Sequence, residues 1–184
     1  MKFNKHYSTA GMHATLSPST PYWLNYDEAR LDEWLTTLQA AQRGTRLHEF
    51  ASEAIEMGIR LPDNDQTLNM YVNDAIGYRM TPEQMLFYSA NCFGTADAIC
   101  LQGNLLRVHD LKTGVKPANE TQLYIYAALF CLEYNYKPVE LDFELRLYQS
   151  GEIRVYTPNH DEIAHVMDRI KTQDRLIDEF NSEG

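Results

Sequence analysis

The chain of 184 residues has no apolar run long enough to span a lipid bilayer. Its first residues, MKFNKHYSTAGMHATLS, also lack the apolar segment of a secretory signal. We therefore expect a soluble protein of the cytoplasm that has no membrane partner.

Cysteine is scarce, and the three cysteines, Cys92, Cys100 and Cys131, do not have the spacing of a metal site. An odd number of cysteines without an export signal predicts reduced thiols that are mostly buried. The segment LKTGVKP lacks the glycine-rich loop that precedes the lysine of an ATP-binding site, so no ATP is expected.

Positive charge is also scarce, because 16 lysines and arginines stand against 26 acidic residues and the net charge is -10. This balance argues against a protein that holds nucleic acid by bulk electrostatic attraction. It leaves open a local basic groove, or binding through metal ions that neutralise phosphate. Apolar residues make up 44% of the chain, which indicates an ordinary globular protein, and we predict one domain over residues 1–184.

The first part of the chain has the apolar spacing of helices. One helix is predicted from about Asp27 to Gln42. A second is predicted after Gly44 and Thr45, over RLHEFASEAIEMG, and a third over QTLNMYVNDAIGYRM.

The apolar spacing then changes to alternation, which is typical of strands. Three strands are predicted over EQMLFYS, GTADAICL and LLRVHDLK. The helix ETQLYIYAALFCLEY, the strands VELDFELRLY and GEIRVYTP, and a last helix capped by Asn159 follow. This order predicts an α/β fold with one mixed β-sheet flanked by helices.

The predicted hairpin around Gly103 and Asn104 carries unusual charges for a buried strand pair. If these two residues form the turn, Asp97 lies opposite Asp110, with Cβ atoms about 4.5–5.5 Å apart, and Lys112 projects from the same face. Two carboxylates this close repel each other unless one is protonated or a cation lies between them. A hard divalent cation such as Mg²⁺ or Mn²⁺ suits these oxygen ligands. The alternative is a surface salt bridge among the three side chains.

Two further features bear on this choice. His48 lies at the edge of the apolar face of its predicted helix, where it either reaches a site or is a hydrogen-bonded histidine at the margin of the core. Gln122 and Tyr126 are four residues apart, so they share a helix face close to the hairpin.

Together these residues resemble the PD-(D/E)XK nuclease superfamily. The residues that carry the resemblance are His48 in GTRLHEFA, Asp97 in FGTADAI, Asp110 and Lys112 in VHDLKTG, and Gln122 and Tyr126 in QLYIYAAL. The chain is most similar to the RecB-like branch, which includes CRISPR-adaptation nucleases and small phage-encoded exonucleases. The resemblance implies the restriction-endonuclease-like core, a mixed sheet with helices on both sides.

The resemblance also implies a role for each matching residue. His48, Asp97, Asp110 and the backbone carbonyl of Leu111 would bind Mg²⁺ or Mn²⁺, and Lys112 would position the attacking water. Substrate contacts are expected for five residues, namely Thr95, Thr113, Lys116, Gln122 and Tyr126. The catalytic set would be Asp97, Asp110, Lys112, Gln122 and Tyr126.

The implied activity is metal-dependent hydrolysis of DNA, as an exonuclease in phage-type recombination, replication or repair. The implied partners are single-stranded DNA or DNA ends, a recombination or replication protein, and a second copy of the chain. The implied location is the host cytoplasm if the chain is phage-encoded. Asp110 occupies a position that is often Glu, and the four cysteines of an iron–sulfur cluster are missing, so no such cluster is expected. The alternative is a protein with the nuclease fold that does not cut, and instead binds DNA ends or a host protein as an accessory or inhibitor.

Overall fold

The structure is a computed structural model that describes residues 7–9 and 14–182. Residues 1–6, 10–13 and 183–184 lie outside the described part of the chain. The chain forms two compact units, 1–42 and 43–184. The prediction of a single domain over 1–184 stays a prediction.

Within the described residues the chain forms four α-helices and five strands, in the predicted order. The helices are α1 (Glu28–Glu56), α2 (Thr67–Gly77), α3 (Thr121–Glu133) and α4 (His160–Ser182). The strands are β1 (Thr81–Ser89), β2 (Cys92–Gln102), β3 (Leu105–Lys112), β4 (Asp142–Gln149) and β5 (Glu152–Tyr156). Short 3-10 helices at Tyr7–Thr9, Pro21–Asn25 and Pro138–Glu140 complete the described structure.

In the first unit, a short 3-10 helix precedes the start of α1. The indole N–H of Trp23 donates a hydrogen bond to the carbonyl of Ser17 at 2.9 Å. Tyr26 and Trp34 meet edge to face, with ring centroids 5.9 Å apart. These contacts give the segment its own local packing.

The strands of the second unit form one mixed sheet in the order β1-β2-β3-β4-β5. Only β3 and β4 pair in parallel, and α3 makes the connection between them. One face of the sheet is buried with α3 and α4, and the other with α2 and the second half of α1. The α/β class and the mixed sheet flanked by helices are therefore confirmed.

The predicted break between two helices at Gly44 is wrong, because α1 continues through this position. A glycine inside a helix costs about 1 kcal/mol relative to alanine, and packing on either side can offset this cost. Ala51 and Ala54 of α1 are almost wholly buried. A Cβ at Gly44 would lie 2.8 Å from the hydroxyl oxygen of Thr113, so the glycine lets α1 pass close to the end of β3.

A polar cluster lies on the α2 face of the sheet, and we call it the Arg146 network. The Arg146 guanidinium donates to Asp74 at 2.9 Å and to the hydroxyl of Tyr78 at 2.8 Å. The hydroxyl of Tyr148 donates to the same carboxylate oxygen of Asp74 at 2.7 Å, and lies 3.2 Å from Nδ1 of His109. The network joins α2 to β3 and β4.

Candidate metal centre

The site begins where the ladder between β2 and β3 ends. The predicted two-residue turn and its register are confirmed from Gln102–Leu105 to Ala98–His109, the last pair of the ladder. Gly103, the first turn residue, has φ +64, a conformation that favours glycine. The next pair would be Asp97 and Asp110, but Asp97 Oδ2 instead accepts a hydrogen bond from the Leu111 amide at 2.7 Å.

β2 also loses its strict alternation at Asp97. Ala96 and Ala98 are both fully buried, yet Ala96 packs on the α3 side of the sheet and Ala98 on the α1 and α2 side. Side chains two residues apart on a regular strand share a face, so the strand turns locally between them. This local turn aims Asp97 toward α1.

His48 of α1 meets Asp97, while its role as a metal ligand, which the resemblance implied, stays a prediction. The two side chains approach to 3.4 Å between His48 Nδ1 and Asp97 Oδ1. The hydrogen bond to Asp97 raises the pKa of His48, and burial only partly opposes this effect. The histidine side chain is 29% exposed, so the pair can be reached from solvent.

Glu83 of β1 is a site residue that the sequence reasoning missed. His48, Glu83 and Asp97 each offer a ligand atom, and these atoms all lie within 4.8 Å of one another. One imidazole nitrogen and two carboxylates form a donor set that suits a divalent cation. This group of three can hold a metal ion, and we call it the acidic triad.

The backbone at Glu83 is unusual, because its φ of +46 lies in the left-handed region that non-glycine residues rarely adopt. Such a conformation costs about 1–3 kcal/mol and persists where the surroundings impose it, often at functional sites. Burial and the charge of Asp97 also raise the pKa of Glu83. Its position therefore carries both backbone strain and like-charge repulsion.

Asp110 lies outside the acidic triad but next to it. Its side chain is 1% exposed, so the salt bridge that it forms with Lys112 at 3.0 Å is buried at its acidic end rather than a surface salt bridge. One carboxylate oxygen, Oδ1, accepts from Lys112 at 3.0 Å, whereas the buried Oδ2 has no hydrogen-bond partner. Burial and the neighbouring charge of Asp97 raise the pKa of Asp110.

A chain of hydrogen bonds connects Asp110 to α3. The Lys112 ammonium also donates to Gln122 Oε1 at 2.7 Å, and Gln122 Nε2 donates to the hydroxyl oxygen of Tyr126 at 2.9 Å. Tyr126 lies against Gly94, where a Cβ would come within 3.3 Å of its ring. The predicted proximity of Lys112, Gln122 and Tyr126 to the two aspartates is thus observed in this arrangement.

The remaining predicted residues lie around this chain of hydrogen bonds. Thr95 pairs with Met85 in the β1–β2 ladder, and Thr113 and Lys116 are exposed in the loop after β3. The Leu111 amide contacts Asp97, while a role for its carbonyl as a metal ligand stays a prediction. The predicted substrate contacts of these residues also stay predictions.

Comparisons with known proteins do not assign the chain to a family. Neither a protein-family model, a curated protein nor a solved structure matches the chain. Among the described residues, no helix combines the length and the apolar character needed to cross a membrane. The three cysteines are free thiols, of which Cys131 is buried and the others are half-buried.

Proposed function

We propose that the protein is a metal-dependent phosphodiesterase that hydrolyses DNA. The observation that carries this proposal is the meeting of three features where β2 and β3 part. These features are the acidic triad, the unpartnered oxygen of Asp110, and an ammonium group held at a fixed place beside them.

The donor set fits a hard divalent cation. His48, Glu83 and Asp97 would hold it, with Asp110 Oδ2 as a further oxygen ligand from the neighbouring strand. A bound Mg²⁺ or Mn²⁺ would supply a water of lowered pKa and would neutralise charge on a reacting phosphate. A cation would also relieve the repulsion that raises the pKa of Glu83 and of Asp110.

Lys112 is the group that we expect to contact the reacting phosphate. An ammonium has three N–H donors, and the bonds to Asp110 and Gln122 fix its direction. A further donor can then stabilise the negative charge that develops on a phosphate oxygen in the transition state. Because its position is fixed before substrate arrives, little reorganisation is needed during the reaction.

Gln122 and Tyr126 act as positioning residues. Burial raises the pKa of Tyr126, so its hydroxyl stays neutral and keeps accepting from the Gln122 amide. That bond orients the Gln122 carbonyl oxygen toward Lys112. Without it, the ammonium would be free to turn fully toward Asp110.

The finer parts of the proposal rest on the resemblance to PD-(D/E)XK nucleases. These parts are DNA as substrate, exonuclease action, a role in phage-type recombination, replication or repair, and the host cytoplasm as location. The net charge of -10 supports a site that depends on cations rather than a passive DNA-binding surface.

The test is degradation of linear DNA labelled at the 5′ or the 3′ end, single-stranded and double-stranded, beside a closed circle. Each substrate is incubated with Mg²⁺, Mn²⁺ or EDTA. The inactive variant is Asp110→Ala, and Asp168→Asn on the exposed face of α4 is the matched control. We expect metal-dependent loss of linear DNA with wild type and Asp168→Asn, and none with Asp110→Ala. Folded wild-type protein that cleaves no substrate would contradict the proposal.

A further inference from the structure

An exposed pair of aromatic rings lies on the two strands that carry Glu83 and Asp97. Phe87 of β1 and Phe93 of β2 face each other in the ladder, with ring centroids 6.2 Å apart and planes inclined by 24°. They are 48% and 56% exposed, although side chains of this kind are normally buried in a core. We call them the phenylalanine pair.

The phenylalanine pair is on the same sheet face as the acidic triad. Leu86 and Ala96 are fully buried on the α3 side of the sheet. Because side chains alternate along a strand, Phe87 and Phe93 project from the opposite face. The second half of α1, which carries the histidine of the triad, packs on that opposite face through Ala51.

The pair and the triad also lie in line. Glu83 and Asp97 are each four residues from the nearer phenylalanine of their own strand, Phe87 and Phe93. At about 3.3 Å per residue, the rings are about 13 Å along the strands from the triad. A strand of nucleic acid that enters the metal centre along β1 and β2 must therefore pass over the rings.

The composition of this surface leaves stacking as its means of holding DNA. Residues 81–102, which form β1 and β2, include no lysine and no arginine. These strands therefore offer no cations for the phosphates of either a duplex or a single strand. Stacking on an aromatic ring needs no charge, but it needs a base whose face is free, as in a single strand.

The main competing occupant is a second copy of the chain paired along β1, the edge strand. Two features oppose such pairing. The outward amide of Phe87 already donates to Glu133 Oε2 at 2.8 Å, and Glu83 has a φ of +46, which departs from regular strand geometry. Both features disfavour pairing of a second copy along this edge.

We propose that Phe87 and Phe93 form a stacking platform for the bases of single-stranded DNA on its way to the metal centre, an inference that rests on the proposed function. The platform selects unpaired bases because only these can lie flat on the rings. It acts on substrate binding, and it makes no contact with the reacting phosphate.

The test distinguishes binding through the bases from binding through the phosphates. Fluorescence anisotropy in EDTA, where no cleavage occurs, compares the binding of labelled oligo(dT) with that of an abasic strand of the same length. Wild type should bind oligo(dT) at least about tenfold more tightly, since each stacked base contributes about 1–3 kcal/mol. Phe87→Ala/Phe93→Ala should lose this difference and bind both strands with the same low affinity.

Two matched variants show whether the ring itself is needed. Phe87→Tyr/Phe93→Tyr keeps the aromatic faces and should bind as wild type does. Phe87→Leu/Phe93→Leu keeps apolar area without an aromatic face and should behave like the alanine variant. Because the rings are exposed, all variants should keep the circular dichroism spectrum and melting temperature of wild type.

Failure of the platform is distinguishable from failure of the proposed function. If the alanine variant keeps its preference for oligo(dT), or if wild type binds oligo(dT) and the abasic strand equally, the platform is wrong even where cleavage is observed. If wild type sediments as a dimer that the alanine variant dissociates, the rings cover a second copy instead. If wild type shows the base preference but never cleaves, the platform stands and the nuclease proposal fails.

Discussion

Neighbouring residues of β3 enter two polar clusters of different character. His109 belongs to the Arg146 network, where Arg146 pairs with Asp74 and with Glu144, and these ion pairs unite charges of opposite sign. Asp110 belongs to the metal centre, where burial and the like charge of Asp97 raise its pKa. Both side chains are buried, so burial alone does not separate a structural cluster from a functional one.

The difference lies in charge balance, because each cluster contains one buried atom without a hydrogen-bond partner, Asp110 Oδ2 and His109 Nε2. Burial and the charges of Arg146 and Arg107 lower the pKa of His109 and keep it neutral, whereas the Asp110 carboxylate lies beside the like charge of Asp97. A carboxylate oxygen without a hydrogen-bond partner, next to a like charge, destabilises the fold. A divalent cation bound at the candidate metal centre would offset this cost, whereas the ion pairs of the Arg146 network already balance its charges.

The largest expected effect comes from exchanging one aspartate in each cluster. Asp97→Asn should lose Mn²⁺ binding and at least about 10³-fold in cleavage rate, because several kcal/mol of charge stabilisation disappear. Its metal-free stability should fall less than that of Asp74→Asn, because relief of the repulsion from Glu83 and Asp110 offsets the weakened contacts with His48 and the Leu111 amide. Asp74→Asn should keep Mn²⁺ binding but lose about 1–3 kcal/mol in free energy of unfolding, because Arg146 and Tyr148 lose an anionic acceptor.

Calorimetry of Mn²⁺ binding and urea unfolding of the metal-free proteins measure the two effects. Asp168→Asn is the control for both, because this exposed carboxylate of α4 belongs to neither cluster. Equal loss of stability in Asp97→Asn and Asp74→Asn would show that both clusters are structural.

Within the metal centre, Lys112 tests catalysis apart from metal binding. Lys112→Met should keep Mn²⁺ binding and lose about 10²–10³-fold in cleavage rate, because one preorganised donor to the transition state is gone. Single-turnover cleavage and calorimetry on the same preparation check this. A fully active variant would remove the lysine from the mechanism.

The next effect is a decrease of about 2 kcal/mol in the free energy of unfolding as the pH falls, caused by His109. Burial, and then the charges of Arg146 and Arg107, lower the pKa of His109 to about 3. The unfolded chain therefore binds a proton below about pH 6.5 that the folded protein rejects, so folding stability falls as the pH falls. From pH 6.5 to pH 5 the loss from this residue should be about 2 kcal/mol.

The measurement is the free energy of unfolding by urea at several pH values. His109→Gln should have a shallower pH dependence than wild type over this interval. His160→Gln, the same exchange at an exposed position at the start of α4, is the matched control. If His109→Gln has the wild-type slope, His109 is not held neutral by the fold.

The smallest expected effect concerns Gly44, where α1 passes Thr113. Alanine favours a helix over glycine by about 1 kcal/mol, but its Cβ would lie 2.8 Å from the Thr113 hydroxyl oxygen. Gly44→Ala should therefore change stability little in wild type and stabilise the Thr113→Ala variant by about 1 kcal/mol. A double-mutant cycle by thermal unfolding measures this, and equal effects in both backgrounds would show that the contact is absent.

Local patterns were enough to predict the elements and much of the site. The two-residue turn at Gly103 and Asn104 sets the register of β2 and β3. This register places Asp97 and Asp110 one position beyond the last ladder pair, Ala98 and His109. Helical spacing was enough to put Gln122 and Tyr126 on one face of α3. These predictions depend on contacts between residues close in sequence.

The remaining features depend on geometry that no local pattern contains. Glu83 joins the triad because its strand aligns with β2, but that ladder shifts register between Phe87 and Ser89, so counting from the turn does not predict the alignment. The unbroken helix at Gly44 depends on tertiary packing, which overrides the low helix propensity of glycine.

The hydrogen bonds of the two clusters also differ in how far they reach along the chain. In the candidate metal centre, the bonds of Lys112, Gln122 and Leu111 join residues that are 2 to 14 positions apart, whereas His48 and Asp97 are 49 positions apart. In the Arg146 network, the bonds to Asp74, Tyr78 and His109 join residues that are 39 to 74 positions apart, and Arg146 and Glu144 are 2 positions apart. Closing the longer loops costs more chain entropy and waits until β4 docks beside β3. We therefore expect residues 97–126 of the candidate metal centre to acquire native-like order early in folding, and the long-range bonds of the Arg146 network to form when the sheet closes.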